Sequence, residues 1–419
     1  MNAIWIGLLL AAGAAPGAHA EAPVVMPDMP LVAGLVPTYQ CLRDFHVDAA
    51  AAPGGDGSAA HPWAHPQAAN DSGTLRAGDC VDLAPGTYDL TKPLHLAAGG
   101  DRNAPDGYVA YRSTVPHEAH LVARRDFYQV IDVQTAYLVI DGLDIDGHHL
   151  TTSEAVSASG NPDHHHIVVE NSVIRDAGGG GVQMNDSEYF WVVGNLIYGN
   201  AATNTYQESG ISTYQAQLAT HVTPTPADAA LPWHIVIAGN ISRDNAETYA
   251  CATPGCHTDG NGIIVDKTKN VDRAGGVPYA GQVLVARNVV ARNGGGGVHL
   301  FLSDHVTVAG NIAADNHRDP DNNGTWRGEL SNVDSDDNRW IGNVGWAMQG
   351  AGVLAHNSAV LIAASNGAPA GARVGWDRNL TCGGDTSVYA RAPGLDPKRN
   401  RLNADPRLCR EAMPKDLEE

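Results

Sequence analysis

Short apolar runs ending in asparagine recur along the chain. Val168-Val169-Glu170-Asn171 returns as Val192-Val193-Gly194-Asn195 and Val236-Ile237-Ala238-Gly239-Asn240. It returns again as Val283-Leu284-Val285-Ala286-Arg287-Asn288, Val306-Thr307-Val308-Ala309-Gly310-Asn311 and Trp340-Ile341-Gly342-Asn343. Five residues after most of these stands a second Asn or Asp: Asp176, Asn200, Asn245, Asn293 and Asn316, with Met348 breaking the pattern. Each repeat also holds a strand opened by glycine: Gly181-Val182-Gln183-Met184, Gly210-Ile211-Ser212-Thr213, Gly262-Ile263-Ile264-Val265, Gly297-Val298-His299-Leu300 and Gly328-Glu329-Leu330-Ser331.

A unit of two or three short strands cannot bury its apolar side alone, but stacked copies share one continuous core. An asparagine at the corner bonds its amide to the coil above and tolerates the left-handed backbone that a sharp turn requires. The pattern therefore predicts an all-β fold, a right-handed parallel β-helix. A β-sandwich would need tight hairpin turns, and few are present. Strand alternation puts Val182/Met184, Ile211/Thr213, Ile263/Val265 and Val298/Leu300 inside. In the Gly328 strand it turns Glu329 inward, a departure from the column. The expected division is a signal peptide at 1–20, a lead-in at 21–45, the solenoid at 46–365 and a C-terminal cap at 366–419. Insertions fall at 216–233, 246–258, 267–281 and 317–328, and loops on a regular scaffold are where function concentrates.

Export follows from the first residues, where Ile4 to Ala12 is apolar and Ala18-His19-Ala20 is a small-x-small cleavage signal. It implies a secreted or periplasmic protein. The six cysteines are even in number and fit that compartment. Sequence neighbourhood pairs Cys41 with Cys80, Cys251 with Cys256 and Cys382 with Cys409. The net charge of −20 argues against nucleic acid and anionic membranes as partners. It also means that an acidic substrate needs local basic groups or a bound cation. A monomer is expected.

The densest cluster of chemically capable groups is His257-Thr258-Asp259-Gly260-Asn261-Gly262-Ile263-Ile264-Val265-Asp266-Lys267. The outward column of the glycine-opened strands reads Gln183/Asn185, Ser212/Tyr214, Ile264/Asp266 and His299/Phe301. Coils stack about 4.8 Å apart, so this face gathers groups distant in sequence. Glu208, Asp259, Asn261 and Asp266 are oxygen donors of the kind calcium takes. Lys267 with a lowered pKa, or His299, is the candidate base. Arg292 is a candidate partner for a substrate carboxylate. Tyr214, Gln183 and Asn185 are candidate sugar contacts. His164-His165-His166 reads as structural, because alternation splits the three across faces.

The coils from Val168 to Asn343, with Asp259-Gly260-Asn261-Gly262-Ile263 and Gly294-Gly295-Gly296-Gly297-Val298-His299 followed by Ser303-Asp304-His305, resemble the pectate-lyase-like superfamily. The segment Gly54-Gly55-Asp56-Gly57-Ser58 to Pro85-Gly86-Thr87-Tyr88 resembles the opening of exported bacterial members, where a short helix caps the first coil. In style the chain is similar to the family-nine polysaccharide lyases. That resemblance implies an acidic polysaccharide as partner and calcium as cofactor. It also implies β-elimination: the cation neutralises a uronate carboxylate and a lysine or arginine removes the adjacent C5 proton. Family nine carries an acid-Gly-…-Lys strand; here the lysine falls at position 267, and the base stays open between Lys267 and His299. Of the polygalacturonase motifs only His257-Thr258-Asp259 and a displaced Asp336-Asp337 occur, which speaks against hydrolysis. A C5-epimerase, a glycoside hydrolase using Glu208 and Asp259, and a non-catalytic glycan-binding solenoid are the alternatives.

Overall fold

The computed structural model describes residues 34–101, 107–161, 163–219, 225–273, 275–322, 328–347, 358–363, 373–383, 388–390 and 395–415. The expected signal peptide, most of the expected lead-in, Met348, Trp326-Arg327 and much of the C-terminal region fall outside them.

The chain winds as a right-handed parallel β-helix; among the described residues its three sheets have eleven, ten and eleven strands, and every strand pairing within them is parallel. From Asp79 onward each complete turn gives one strand to each sheet, as Leu138–Asp141, Asp144–Asp146 and Val156–Ala158 do in succession. Alternation fills the interior as expected: Val182, Met184, Ile211, Thr213, Ile263, Val265, Val298 and Leu300 are all buried. Each aliphatic side chain in such a column contributes about 1.5–3 kcal/mol by leaving water.

Two asparagine ladders hold the corners. In the first, Asn195, Asn240, Asn288, Asn311, Asn343, Asn379 and Asn400 stack in successive coils. Each but the last donates its backbone N–H and side-chain amide to the Oδ1 of the next; for Asn240 the acceptor is Asn288 at 2.9 and 3.0 Å. The same amide reaches back to a strand carbonyl, as Asn240 does to Val192 at 2.8 Å. The second ladder runs Asn200, Asn245, Asn293 and Asn316. Buried backbone groups must find partners, and these side chains supply them where strand ladders end.

Three expectations shift by one residue. Ser172, not Asn171, occupies the first rung below Asn195, because Ile167 pairs with Phe190. Asn171 instead takes a left-handed conformation, φ 50°, and donates to Asp141. The second ladder likewise begins at Ala177, not Asp176. At the other end Val298 pairs with Leu330, so Glu329 stands where Gly297 stands one coil below. Its inward carboxylate ends the second ladder by accepting from the amide of Asn316.

The three cysteine pairs form as expected, with Cα–Cα distances of 5.4 Å for Cys41–Cys80, 5.2 Å for Cys251–Cys256 and 6.3 Å for Cys382–Cys409. At the first coils, helix Pro66–Asp71 lies against the edge strand Leu94–Leu96. Gln67 accepts from the His95 N–H and Asn70 from Ala97 and Ala98, so edge groups that would invite pairing are satisfied. The triple histidine is structural: His166 stacks between Tyr137 and Tyr189 and bonds Asp228 of the 216–233 insertion at 3.1 Å. Among the described residues no helix is long and apolar enough to cross a membrane.

Replacing Asn240 by alanine removes two amide donors and strands buried acceptors in two neighbouring coils. The expected cost is about 1–3 kcal/mol, read as a lower midpoint in urea. An unchanged midpoint would show that the ladder does not hold the corners.

Candidate functional site

The ten-stranded sheet carries the cluster. Its register sets Gln183, Ser212, Ile264 and His299 side by side, and Asn185, Tyr214, Asp266 and Phe301 next to them. Because the inward positions are apolar, parity forces these eight side chains outward. They floor an open groove of about 520 Å³. Glu208, Asp259 and Lys267 enter it from the turns that flank the strands. Lys267 ends its strand with a left-handed φ of 57°, the turn expected there.

Eight of the ten candidate residues therefore meet in one groove. Arg292 does not. It sits in the turn after strand Val289–Ala291, in another sheet, and its guanidinium bonds both oxygens of Asp244 at 2.9 Å. Asn261 also stays out. It is fully buried, and its Oδ1 accepts the Gly296 N–H at 2.7 Å while its amide donates to Ser209 and Asp259. Its work is to close the corner, so the metal set Glu208, Asp259, Asn261 and Asp266 loses that member.

The structure adds groups that periodicity did not reveal. Glu154 lines the groove from two coils below Glu208. With its amide nitrogen turned toward the acids, Gln183 donates to both Glu154 and Glu208, the latter at 2.7 Å, and accepts from Asn185 at 2.7 Å. Tyr128 and Tyr206 stand on the rim, 58% and 71% exposed. Glu247 lies behind, accepting the Glu208 N–H. One signal for Glu154 was available: it precedes its strand by nearly the same interval as Glu208. The tyrosines lie in irregular turns and left no pattern.

Electrostatics in the groove are one-sided. Burial pushes the Glu208 carboxyl well above the usual carboxylate range, and Glu154, Glu247 and Asp259 push it further. Burial also raises Glu154. It raises Glu247 to about 9 and Asp266 to about 8, in both cases with help from Asp259. Asp266 Oδ1 and Glu247 Oε2 are buried without a hydrogen-bond partner. Two like charges about 4 Å apart repel by roughly 4 kcal/mol at an effective dielectric of 20, so such a floor keeps protons or takes a cation.

Lys267 does not match the lowered pKa that a basic amine needs. Burial pulls it down, but its bond to Asp272 at 3.0 Å and the charge of Asp266 outweigh this, and the net shift is upward. Its ammonium also rests 5.4 Å from the Tyr214 ring centre. His299 is shifted the other way: burial alone lowers it to about 4, and its Nδ1 is buried without a partner. His257 faces Asp319 at 3.1 Å. Asp336 pairs with Lys269 and Asp337 with Arg373, so that acidic pair is engaged elsewhere.

No family model matches the sequence, and no curated protein matches it. Solved structures of similar shape include the pectate lyase Pel9A, at 12% identity over 86% of this chain and 80% of that one, with a TM-score of 0.43. The A-module of the mannuronan C-5 epimerase AlgE4 of Azotobacter vinelandii is 13% identical over 85% of this chain and all 100% of that one, with a TM-score of 0.42. The PL6 family alginate lyase AlyGC is 13% identical over 83% of this chain and 40% of that one, with a TM-score of 0.48.

The raised Asp266 pKa has a measurable consequence. The folded protein holds a proton there up to about pH 8, while the unfolded chain releases it near 3.9. The stabilisation is complete below about pH 4 and is lost as pH rises toward 8. In chelator, Asp266→Asn should gain on the wild type between pH 5 and pH 8, by about 2–4 °C in Tm. A difference constant across that range would refute the buried-acid assignment.

Proposed function

We propose that the chain is an exported enzyme that cleaves a uronate-bearing polysaccharide by β-elimination, with the groove as its active site. The observation that carries this reading is the groove floor itself. There the carboxyl groups of Glu154, Glu208, Asp259 and Asp266 face one ammonium and one neutral imidazole between aromatic walls. Tyrosine offers an apolar face with a polar tip, which suits the flat faces and hydroxyl rims of sugar rings.

Glu208, Asp259 and Asp266, with Glu154 beside them, are the hard oxygen donors that would hold calcium, and the buried, unpartnered Asp266 Oδ1 fits that use. Bound there, calcium would neutralise the carboxylate of a uronate. Among the described residues no three of these oxygens come within 4.8 Å of one another. A calcium ion bound there would draw these carboxylates together, with water and the substrate's own carboxylate completing its shell.

His299 is neutral at pH 7 and accepts the C5 proton. The electrons of the C5–H bond form the C4–C5 double bond, the C4–O bond breaks, and the Tyr214 hydroxyl protonates the departing oxygen. Lys267 keeps its proton and pairs with a substrate carboxylate. Gln183 and Asn185, already bonded to each other, orient the sugar hydroxyls. A C5-epimerase would share the first proton transfer. One observation favours a second reading: burial holds Glu208 protonated, the state a general acid requires, so Glu208 with Asp259 can be drawn as a hydrolytic pair.

A panel of polyuronates, followed by the ultraviolet absorbance of unsaturated uronate with and without chelator, separates these readings. Elimination predicts an absorbance rise that chelator abolishes and calcium restores. His299→Ala should lower kcat by about 10²–10⁴-fold, while Lys267→Ala should act mainly on KM. Turnover should fall as pH drops through about 4, where His299 becomes protonated. Reducing ends without absorbance would point to hydrolysis. Binding without any product would leave a glycan-binding solenoid.

A further inference from the structure

A second concave site lies on a different sheet, at the C-terminal end of the solenoid. It is a hollow of about 500 Å³ lined by Arg378, Lys398, Arg399 and Arg401, with Leu380 and Leu408 as apolar walls. Four cations in one hollow are notable on a chain whose net charge is −20.

The asparagine ladder builds this cluster. Asn379 donates its N–H and amide to Asn400 at 3.0 and 2.9 Å, locking two successive coils in register. Arg378 and Arg399 each precede a rung, so they emerge one above the other, about 4.8 Å apart along the stack. The Arg378 N–H donates to the Arg399 carbonyl at 2.7 Å and fixes the pair. Arg401 pairs with Leu380 across the next strands and adds a third cation on the same side.

The counter-charge is short. Asp377 is shared by Arg399 at 3.3 Å and Arg378 at 3.4 Å. Asp396 accepts the backbone N–H of Lys398, and Asp405 is held by Arg407 at 2.6 Å. Among the described residues no carboxylate pairs with the side chain of Lys398 or Arg401. All four cationic side chains are exposed, so an arriving anion meets them without displacing a buried partner. A polymer of negative charge is repelled by most of this protein and attracted here.

We propose that this hollow is a second glycan site, which takes the carboxylates of a polyuronate segment away from the groove. The choice of a carboxylate polymer rests on the acidic-glycan reading of the groove. A polyuronate carries one carboxylate per sugar along an extended chain, which matches cations set out coil by coil along a stack. Arginine is the side chain best suited to bind a planar carboxylate through two parallel hydrogen bonds.

The test is fluorescence anisotropy of a labelled hexagalacturonate, at low and physiological salt. It compares the full chain with the double variant Lys398→Ala/Arg401→Ala and with Asp266→Asn. The double variant should bind about tenfold more weakly, with a flatter salt dependence. Its Tm and its turnover of a short substrate should be unchanged. Asp266→Asn should keep the salt-sensitive binding. Undiminished binding by the double variant overturns the proposal, as does equally tight binding of a phosphodiester oligomer of the same charge at this site. If the wild type turns over no polyuronate but the double variant still loses binding, the hollow stands and the groove reading falls.

Discussion

The fold depends on one requirement: backbone polar groups at the corners of each coil are buried, and a buried N–H or C=O without a partner is costly. Strand ladders satisfy the straight segments but not the turns between them. The stacked asparagines do, each spending its donors on the coil to one side and offering its Oδ1 to the coil on the other. Register is thereby locked at two corners of the central coils and at one corner towards the C-terminal end, and a slip of one residue would unpair a whole column. Where the second column has no further asparagine, the Glu329 carboxylate takes its place as acceptor.

The groove is a consequence of that register. Once Val182, Ile211, Ile263 and Val298 are stacked inside, Gln183, Ser212, Ile264 and His299 are stacked outside. Acids brought in from the flanking turns then share one largely buried groove. Lys267 leans on Asp272 and Tyr214, and Arg292 is committed to Asp244 around the corner. Burial leaves the Glu208 and Asp266 carboxyls well above the usual carboxylate range, a state that a bound cation relieves. The second ladder runs beside the groove and the first beside the C-terminal hollow, so two surfaces of opposite sign arise from one repeat.

The solenoid, its inward columns and the three cysteine pairs were legible from the chain, because each rests on a local pattern: parity along a strand, asparagine at a corner, cysteines near in sequence. The errors were also local. Asn171 imitates a rung but lies one residue early, and Ser172 fills the position: its N–H donates to Asn195, and its hydroxyl accepts from the Leu143 N–H and donates to the Glu170 carbonyl. The Gly328 strand is one residue out of step because Glu329 does a glycine's positional work with a side chain that needed a buried partner.

What only the tertiary structure decided is the company each polar group keeps. Asn261 and Asp259 are two residues apart and chemically alike as oxygen donors. One is consumed by the Gly296 N–H, while the other reaches the groove. Glu154 is more than a hundred residues from Asp266, and nothing in their neighbourhoods joins them. Lys267 gains its raised pKa from Asp272 on an insertion whose path no periodicity describes. Sequence determines what repeats, because repetition is a one-dimensional property. Which charges share a low-dielectric space, and so which protons are held, depends on distances between coils that exist only once the helix has closed.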